Sequence, residues 1–347
     1  MIRKLANRGS AILIVALAIS LAPVASPAQD SSASQAHSKD GKKLFGTRDA
    51  LRVARVSSPR ISPDASRVAY LVSALETEKD EPGKTVTHLW VAPTAGPVSA
   101  SRQYTRGEKS VSSVAWSPDG KLLAFTMEAG EGKDAKSQVW FMYPDGGEPW
   151  QVTKHKAGVR SFEFSPDGKT LLLVATAATP ADEEKRTKEK DDAVVVDHDL
   201  KMAQLWTWNI ATSEEKQITK GDFTVSDPRW SPDGSHITFT ANPTPLTDDV
   251  SLQTVWVLDV ASGQLRKLVD TSDYTHTARW SPDGQWIAYL GDRGMAIYQT
   301  NLFVVSAAGG APRKLSGSFE PNVGEPVWGP DGKTIYFSTD TRELVEV

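Results

Sequence analysis

Val114-Ala115-Trp116-Ser117-Pro118-Asp119-Gly120-Lys121-Leu122-Leu123-Ala124-Phe125 is the stretch that decides the fold. Its centre has the composition of a type I turn. Serine suits the first position, proline fixes φ at the second, and glycine accepts a left-handed exit at the fourth. Short apolar runs flank it, so the stretch reads as a β-hairpin. The tetrapeptide occurs six times with small changes: Ser62-Pro63-Asp64-Ala65, Ser117-Pro118-Asp119-Gly120, Ser165-Pro166-Asp167-Gly168, Ser231-Pro232-Asp233-Gly234, Ser281-Pro282-Asp283-Gly284 and Gly329-Pro330-Asp331-Gly332. The prolines are spaced by 55, 48, 66, 50 and 48 residues. Repeats of this length indicate a solenoid, a propeller or an array. Ala65 breaks the glycine pattern, so the first turn is expected to be strained or of another type.

A second hairpin follows the first in five copies. Gln138 to Thr153 turns at Pro144-Asp145-Gly146-Gly147, Thr254 to Leu268 at Ala261-Ser262-Gly263, and Asn301 to Leu315 at Ala308-Gly309-Gly310. Leu205 to Ile218 fits, and His88 to Tyr104 fits loosely. Two hairpins per period make four strands, which is one propeller blade. The expected fold is all-β: a β-propeller with about six blades of four-stranded antiparallel sheet. Five complete blades are expected at roughly 56–105, 111–153, 159–219, 225–268 and 275–315. The sixth, from Val323 to Ser338, is incomplete and supplies only its first hairpin. An unfinished ring should expose Trp328 and leave Ile335-Tyr336-Phe337 on a bare edge. The alternative is that Leu44 to Ser57 supplies a strand that completes blade six.

Tryptophan occurs 11 times, more often than tyrosine or phenylalanine. Trp116, Trp230, Trp280 and Trp328 stand immediately before the turn; Trp90, Trp140, Trp206, Trp208 and Trp256 stand in the third strand. Once-per-blade recurrence points to filling between stacked blades, each buried on both faces.

The 347 residues carry 39 bases and 43 acids, a net charge of −4, and no basic run, which argues against a nucleic-acid partner. The absence of cysteine excludes disulfides, thiolate metal sites and a cysteine nucleophile. Arg3, Lys4 and Arg8 precede an apolar run from Ala11 to Ala22 that Pro23 ends, and Ser26-Pro27-Ala28 supplies small residues. Twelve residues span roughly 18 Å, short of the about 30 Å bilayer core. Residues 1–28 therefore read as a cleaved signal peptide, which takes the net charge to −7 and leaves no membrane anchor. Residues 29–43 read as a flexible spacer, and 44–347 as the propeller, C-terminally incomplete.

The Ser-Pro-Asp-Gly hairpins resemble the WD40-like (PD40) repeats of TolB-type proteins and of the propeller domain in prolyl oligopeptidase family (S9) serine peptidases. Asp49 to Asp64, and Asp192 to Asp197 running into Gln204-Leu205-Trp206, resemble the exported dipeptidyl/acylaminoacyl peptidase branch. The Trp-Asp pair of true WD40 blades is absent. The resemblance implies an α/β-hydrolase domain with Ser, Asp and His as partner of the propeller in the intact family. That domain places its nucleophile in Gly-x-Ser-x-Gly. No such pentapeptide occurs in these 347 residues, and no βαβ alternation is visible.

No catalytic residue, cofactor or metal site is therefore assigned. The six turn serines recur as backbone devices, not nucleophiles. His37, His88, His155, His198, His236 and His276 form no paired motif; Asp197-His198-Asp199 is the one local metal candidate, with side chains alternating along a strand. Asp182 to Asp192, six acids and four bases, accounts for the longest spacing. Glu183-Glu184 within it invites comparison with the glutamate pair that holds a substrate amino terminus in dipeptidyl peptidases, but the aromatic context is missing. The expected function is a non-catalytic, substrate-gating propeller of an exported peptidase, engaging a peptide substrate or protein partner through a propeller face. The alternative is a TolB-like periplasmic scaffold. Either way the chain is expected to be periplasmic or secreted and inactive alone.

Overall fold

The computed structural model describes residues 53–76, 83–178, 200–269, 274–292, 300–317, 322–341 and 344–346, with isolated positions 46, 49 and 185. Residues Met1–Ala50 and Leu51–Val347 form two units, and all the strands lie in the second. The expected signal peptide and spacer, Asp182 to Asp192 apart from Lys185, and Asp197-His198-Asp199 lie outside the described residues.

Five four-stranded antiparallel sheets follow one another, each a simple meander. Blade one is β1 (Arg55–Ile61), β2 (Arg67–Glu76), β3 (Lys84–Pro93) and β4 (Arg102–Gln103); blade two is β5 (Val111–Trp116), β6 (Leu123–Ala129), β7 (Lys136–Met142) and β8 (Trp150–Gln151). Blade three is β9 (Ser161–Phe164), β10 (Thr170–Thr176), β11 (Ala203–Asn209) and β12 (Glu215–Gln217). Blade four is β13 (Thr224–Trp230), β14 (His236–Asn242), β15 (Thr254–Asp259) and β16 (Leu265–Lys267); blade five is β17 (Tyr274–Trp280), β18 (Trp286–Asp292), β19 (Asn301–Ser306) and β20 (Arg313–Lys314). Blade six is the hairpin β21 (Val327–Trp328) and β22 (Ile335–Tyr336). A separate hairpin that no sequence motif marks, β23 (Thr339–Thr341) with β24 (Leu344–Glu346), follows.

The turn serines are structural, as their recurrence implied. In blades one to five the serine Oγ donates to the turn aspartate at 2.5–2.7 Å and accepts the N–H five residues on at 2.9–3.0 Å. The aspartate accepts the N–H two residues on at 3.0–3.1 Å. Hydrogen bonding, led by the serine hydroxyl, holds the Asp64 and Asp233 carboxyls at about 2. Ala65 keeps the common turn, with its N–H on the Ser62 carbonyl at 2.8 Å, but at φ +56 it carries the strain that glycine avoids.

The fourth turn position also joins blades. A Cβ on Gly120 would lie 3.5 Å from the Pro63 ring of the preceding turn. Gly168 faces Pro118 in the same way, Gly234 faces Pro166, Gly284 faces Pro232, and Gly332 faces Pro282. Consecutive turns therefore stack proline on glycine around the ring.

The cores lie between blades. Leu123 and Phe125 of β6 pack with Leu71 and Leu89 of blade one, while Ala124 between them packs with Leu171 and Leu173 of blade three. Leu172 and Val174 point the other way, to Ile237 and Phe239 of blade four. Val255 and Val257 meet Ile287 and Tyr289, and Leu290 and Leu302 meet Trp328 and Ile335. Alternation at period two thus gives each second strand two apolar faces.

Blade one has one bare face. Val56 and Ile61 are 67% and 65% exposed, whereas Val111 and Val225, at the register of Val56, are 1% and 3% exposed. Of the segment proposed to close the ring, Arg55, Val56 and Ser57 pair with β2 and so belong to blade one. The expectation that Trp328 is exposed is corrected. Its indole N–H donates to the Arg279 carbonyl of blade five at 2.9 Å, as Trp116 does to Arg60 of blade one. The residue before the turn points to the preceding blade, so blade six instead shows Val327 and Tyr336 outward.

Two outcomes follow from this packing. Gly120→Ala should cost about 1 kcal/mol, because alanine at φ +70 is strained and Pro63 limits relief. A lower urea midpoint with unchanged slope checks this; an unchanged midpoint contradicts it. Residues 29–347, with bare faces on blades one and six, should self-associate in size-exclusion chromatography with light scattering. A sharply melting monomer would contradict that.

Candidate functional site at the channel mouth

Aligning the six repeats on the turn gives two polar columns on the first strands. Four residues before the turn stand Ser58, Ser113, Ser161, Asp227, Thr277 and Glu325; two before it stand Arg60, Ala115, Glu163, Arg229, Arg279 and Val327. In four blades the first column is a β-bulge, with a non-glycine residue at positive φ: Ser58 (+52°), Ser113 (+50°), Asp227 (+46°) and Thr277 (+55°). Bulges re-aim side chains, and strained non-glycine residues concentrate at functional sites.

The re-aimed charges converge at the ring axis. Arg279 of β17 donates Nη1 to Asp227 Oδ2 of β13 at 2.8 Å, and Nε and Nη2 to Glu325 Oε1 before β21 at 2.8 and 2.6 Å. It therefore ties blade five to both neighbours. Arg229 Nη2 lies 2.9 Å from Asp227 Oδ1. Glu163 Oε2 of β9 accepts the Trp230 N–H at 3.2 Å, which links blades three and four. Glu325 sits below the usual carboxylate range; Arg279 supplies most of the pull against burial, and Arg229 and Arg60 add to it. Arg60 belongs to blade one and holds the same register there as Arg229 and Arg279 in theirs.

Arg60, Arg229 and Arg279 share one arrangement. Each donates Nη1 to the carbonyl of the residue before it, at 3.0, 2.8 and 2.7 Å. Glu163 behaves differently. Burial pushes its carboxyl up to about 7, against the pull of Arg229 and Arg279. An open pocket of about 570 Å³ joins Glu163, Arg229, Arg279 and Glu325 and runs beside the turn prolines, with Trp230 and Trp328 in its wall. Apolar walls around a few convergent polar groups are the usual form of a ligand site.

The sequence reading named none of these charged residues, although the two columns would have shown them once the repeats were aligned on the serine. The described histidines do not join this cluster. His155 Nδ1 lies 2.7 Å from Glu215 Oε1 and Nε2 2.7 Å from the Thr176 carbonyl, inside blade three. His236 contacts Ser235, and His276 contacts Thr277. Among the described residues no group of three or more His, Asp or Glu could hold a metal. No helix among them is long and apolar enough to cross a membrane.

Glu163 sets a pH dependence of stability. Its folded value lies above its unfolded one, so the native state holds the extra proton between about 4.5 and 7. Stability therefore falls as pH rises through that window. Glu163→Gln should leave stability near wild type at pH 4 and raise it at pH 8, on the order of 2 kcal/mol. Urea titrations at both pH values check this; an equal change at the two would contradict it.

The family model for the TolB beta propeller domain matches residues 188–343, and the WD domain, G-beta repeat model matches 100–140. An uncharacterized peptidase of Bacillus subtilis, YuxL, is 32% identical over 224 residues, covering 60% of this chain and 33% of its own length. Dipeptidyl-peptidase 5 of Porphyromonas endodontalis is 29% identical over 180 residues, covering 49% and 25%. The chain thus spans a quarter to a third of these relatives. The β-propeller domain of the Trilobed protease from Pyrococcus furiosus superposes with a TM-score of 0.56 at 19% identity, over 85% of this chain and 81% of that one. By fold the chain is a β-propeller, and its repeats are similar to the TolB beta propeller domain and to the corresponding part of a Bacillus peptidase and of a dipeptidyl-peptidase 5.

Proposed function

We propose that this chain is the substrate-gating propeller of an exported prolyl oligopeptidase family peptidase that acts on peptides. Residues 1–28 serve as the signal peptide, 29–43 as the spacer and 44–347 as the propeller. The carrying observation is the axial pocket at the turn-side mouth of the channel, where Glu163, Arg229, Arg279 and Glu325 converge. A narrow opening with both signs of charge suits an extended peptide, whose backbone donates and accepts, and rejects a folded protein. The identity to a Bacillus peptidase supports the reading. Catalysis requires nucleophile, base and oxyanion donors together, and in this reading a hydrolase domain supplies them.

A second reading, a TolB-like scaffold that holds a partner protein on a propeller face, draws on the TolB description of the matching family model. Reading the gene beyond codon 347 separates the two. A frame that reaches Gly-x-Ser-x-Gly within a few hundred residues supports the gate; a stop codon among envelope-complex genes supports the scaffold. The purified chain should not turn over acyl-peptide or X-Ala and X-Pro chromogenic substrates. Turnover abolished by a serine-directed inhibitor would overturn this assignment.

A further inference from the structure

The polar groups at the channel mouth are not equally free. Arg279 is saturated: its N–H groups go to Asp227, Glu325 and the Ala278 carbonyl. Asp227 is shared between Arg279 and Arg229. Glu325 is held by Arg279. Burial pushes the half-buried Glu163 carboxyl up to about 7, so near neutral pH it carries only part of a full negative charge, and one of its oxygens already accepts the Trp230 N–H.

The arginines keep unused capacity. A guanidinium has five N–H donors. Arg229 engages two of its terminal nitrogens, one with the Pro228 carbonyl and one with Asp227, which leaves about three N–H groups unbonded among the described residues. Its side chain is 34% exposed, so solvent and ligand reach it. Arg60, at the same register in blade one, is exposed and donates only to the Pro59 carbonyl among the described residues.

Free donors at the mouth thus outnumber free anions, and they belong to the residue type that grips carboxylates with two parallel bonds. We infer that the channel mouth is a binding site for a peptide carboxylate, with Arg229 as the main ligand and Arg60 as a second cation across the axis. The inference deepens the gating reading and rests on it only for the identity of the ligand as a peptide. Trp230 and Trp328 in the wall supply the apolar surface for the adjoining residue. The carboxylate comes from a chain terminus or from an acidic side chain.

Three probes separate these sources: acetyl-trialanine as the free acid, its carboxyl-terminal amide, and the amide of acetyl-Ala-Asp-Ala. Calorimetry and tryptophan fluorescence on the mature chain read the binding. The free acid should bind at least tenfold tighter than its amide, which is about 1.4 kcal/mol. If the aspartyl probe also binds, the site takes a side chain as well; if it alone binds, the side chain is the source. Either result supports the carboxylate site. Arg229→Gln should abolish the preference over the amide while the thermal melt stays cooperative. Arg60→Gln, at an exposed position with no ion pair among the described residues, should weaken the free acid severalfold, and it tests the site even if the Arg229 variant misfolds. Equal, measurable affinity for all three probes, or no binding by either carboxylate probe at about 1 mM, would overturn the inference and leave the cluster as a tie between blades. The gene-frame test is independent of these results, so each idea can fail alone.

Discussion

No blade of this protein has a core of its own. A four-stranded sheet of this size can bury its apolar side chains only against another sheet, and both faces of each second strand are apolar. Phe125 goes to blade one while Ala124, its neighbour in the chain, goes to blade three. Each joint is therefore the unit of stability, as in other stacked repeats. Every regular feature of the sequence serves that joint. The turn proline lies on the glycine of the next turn. The tryptophan before the turn reaches the carbonyl of the preceding blade at both joints where that bond forms, Trp116 to Arg60 and Trp328 to Arg279.

The same register builds the channel mouth. Because every first strand enters its turn in one orientation, residues two and four positions before the serine are delivered to the axis. Blade two puts small, neutral residues, Ser113 and Ala115, at both positions, and blade one puts Arg60 at one of them. Blades three to six put Glu163, Asp227, Arg229, Arg279 and Glu325 there instead. The bulge at Asp227 turns its carboxylate between two guanidinium groups, and Arg279 carries the link onward to Glu325. A buried pair of this kind adds little net stability against an apolar alternative, yet losing one partner is costly. Charge at this position is therefore better explained by what passes or docks at the axis than by holding the ring together.

Much of this was legible in the sequence. The blade count, strand pairing and structural role of the turn serines followed from six turns and two hairpins per period, since a type I turn between apolar runs has few other solutions. Ala65 also signalled correctly that the first turn is strained, although it keeps the hydrogen bond of the other turns. Three things were not legible. Trp328 was placed outward because the edge of an unfinished sheet is expected to be bare; its side chain follows the residue-before-turn rule and faces blade five. The hairpin β23–β24 carries no turn signature strong enough to read. The charged mouth escaped because its residues come from four different repeats and look like ordinary surface charges until the repeats are superposed. Contacts set by ring closure do not appear as local motifs.

Hydrogen exchange on the native chain tests the central claim, that stability resides in the joints, most directly. Amides of β6, β10, β14 and β18, sandwiched between two joints, should exchange only by global unfolding. Those of β1, bare on one side, and of β21–β22 should exchange by local opening, faster by orders of magnitude. Protection in β1 and β22 equal to that in β10 would contradict the account, since it would mean that blades one and six are covered as fully as the blades between them.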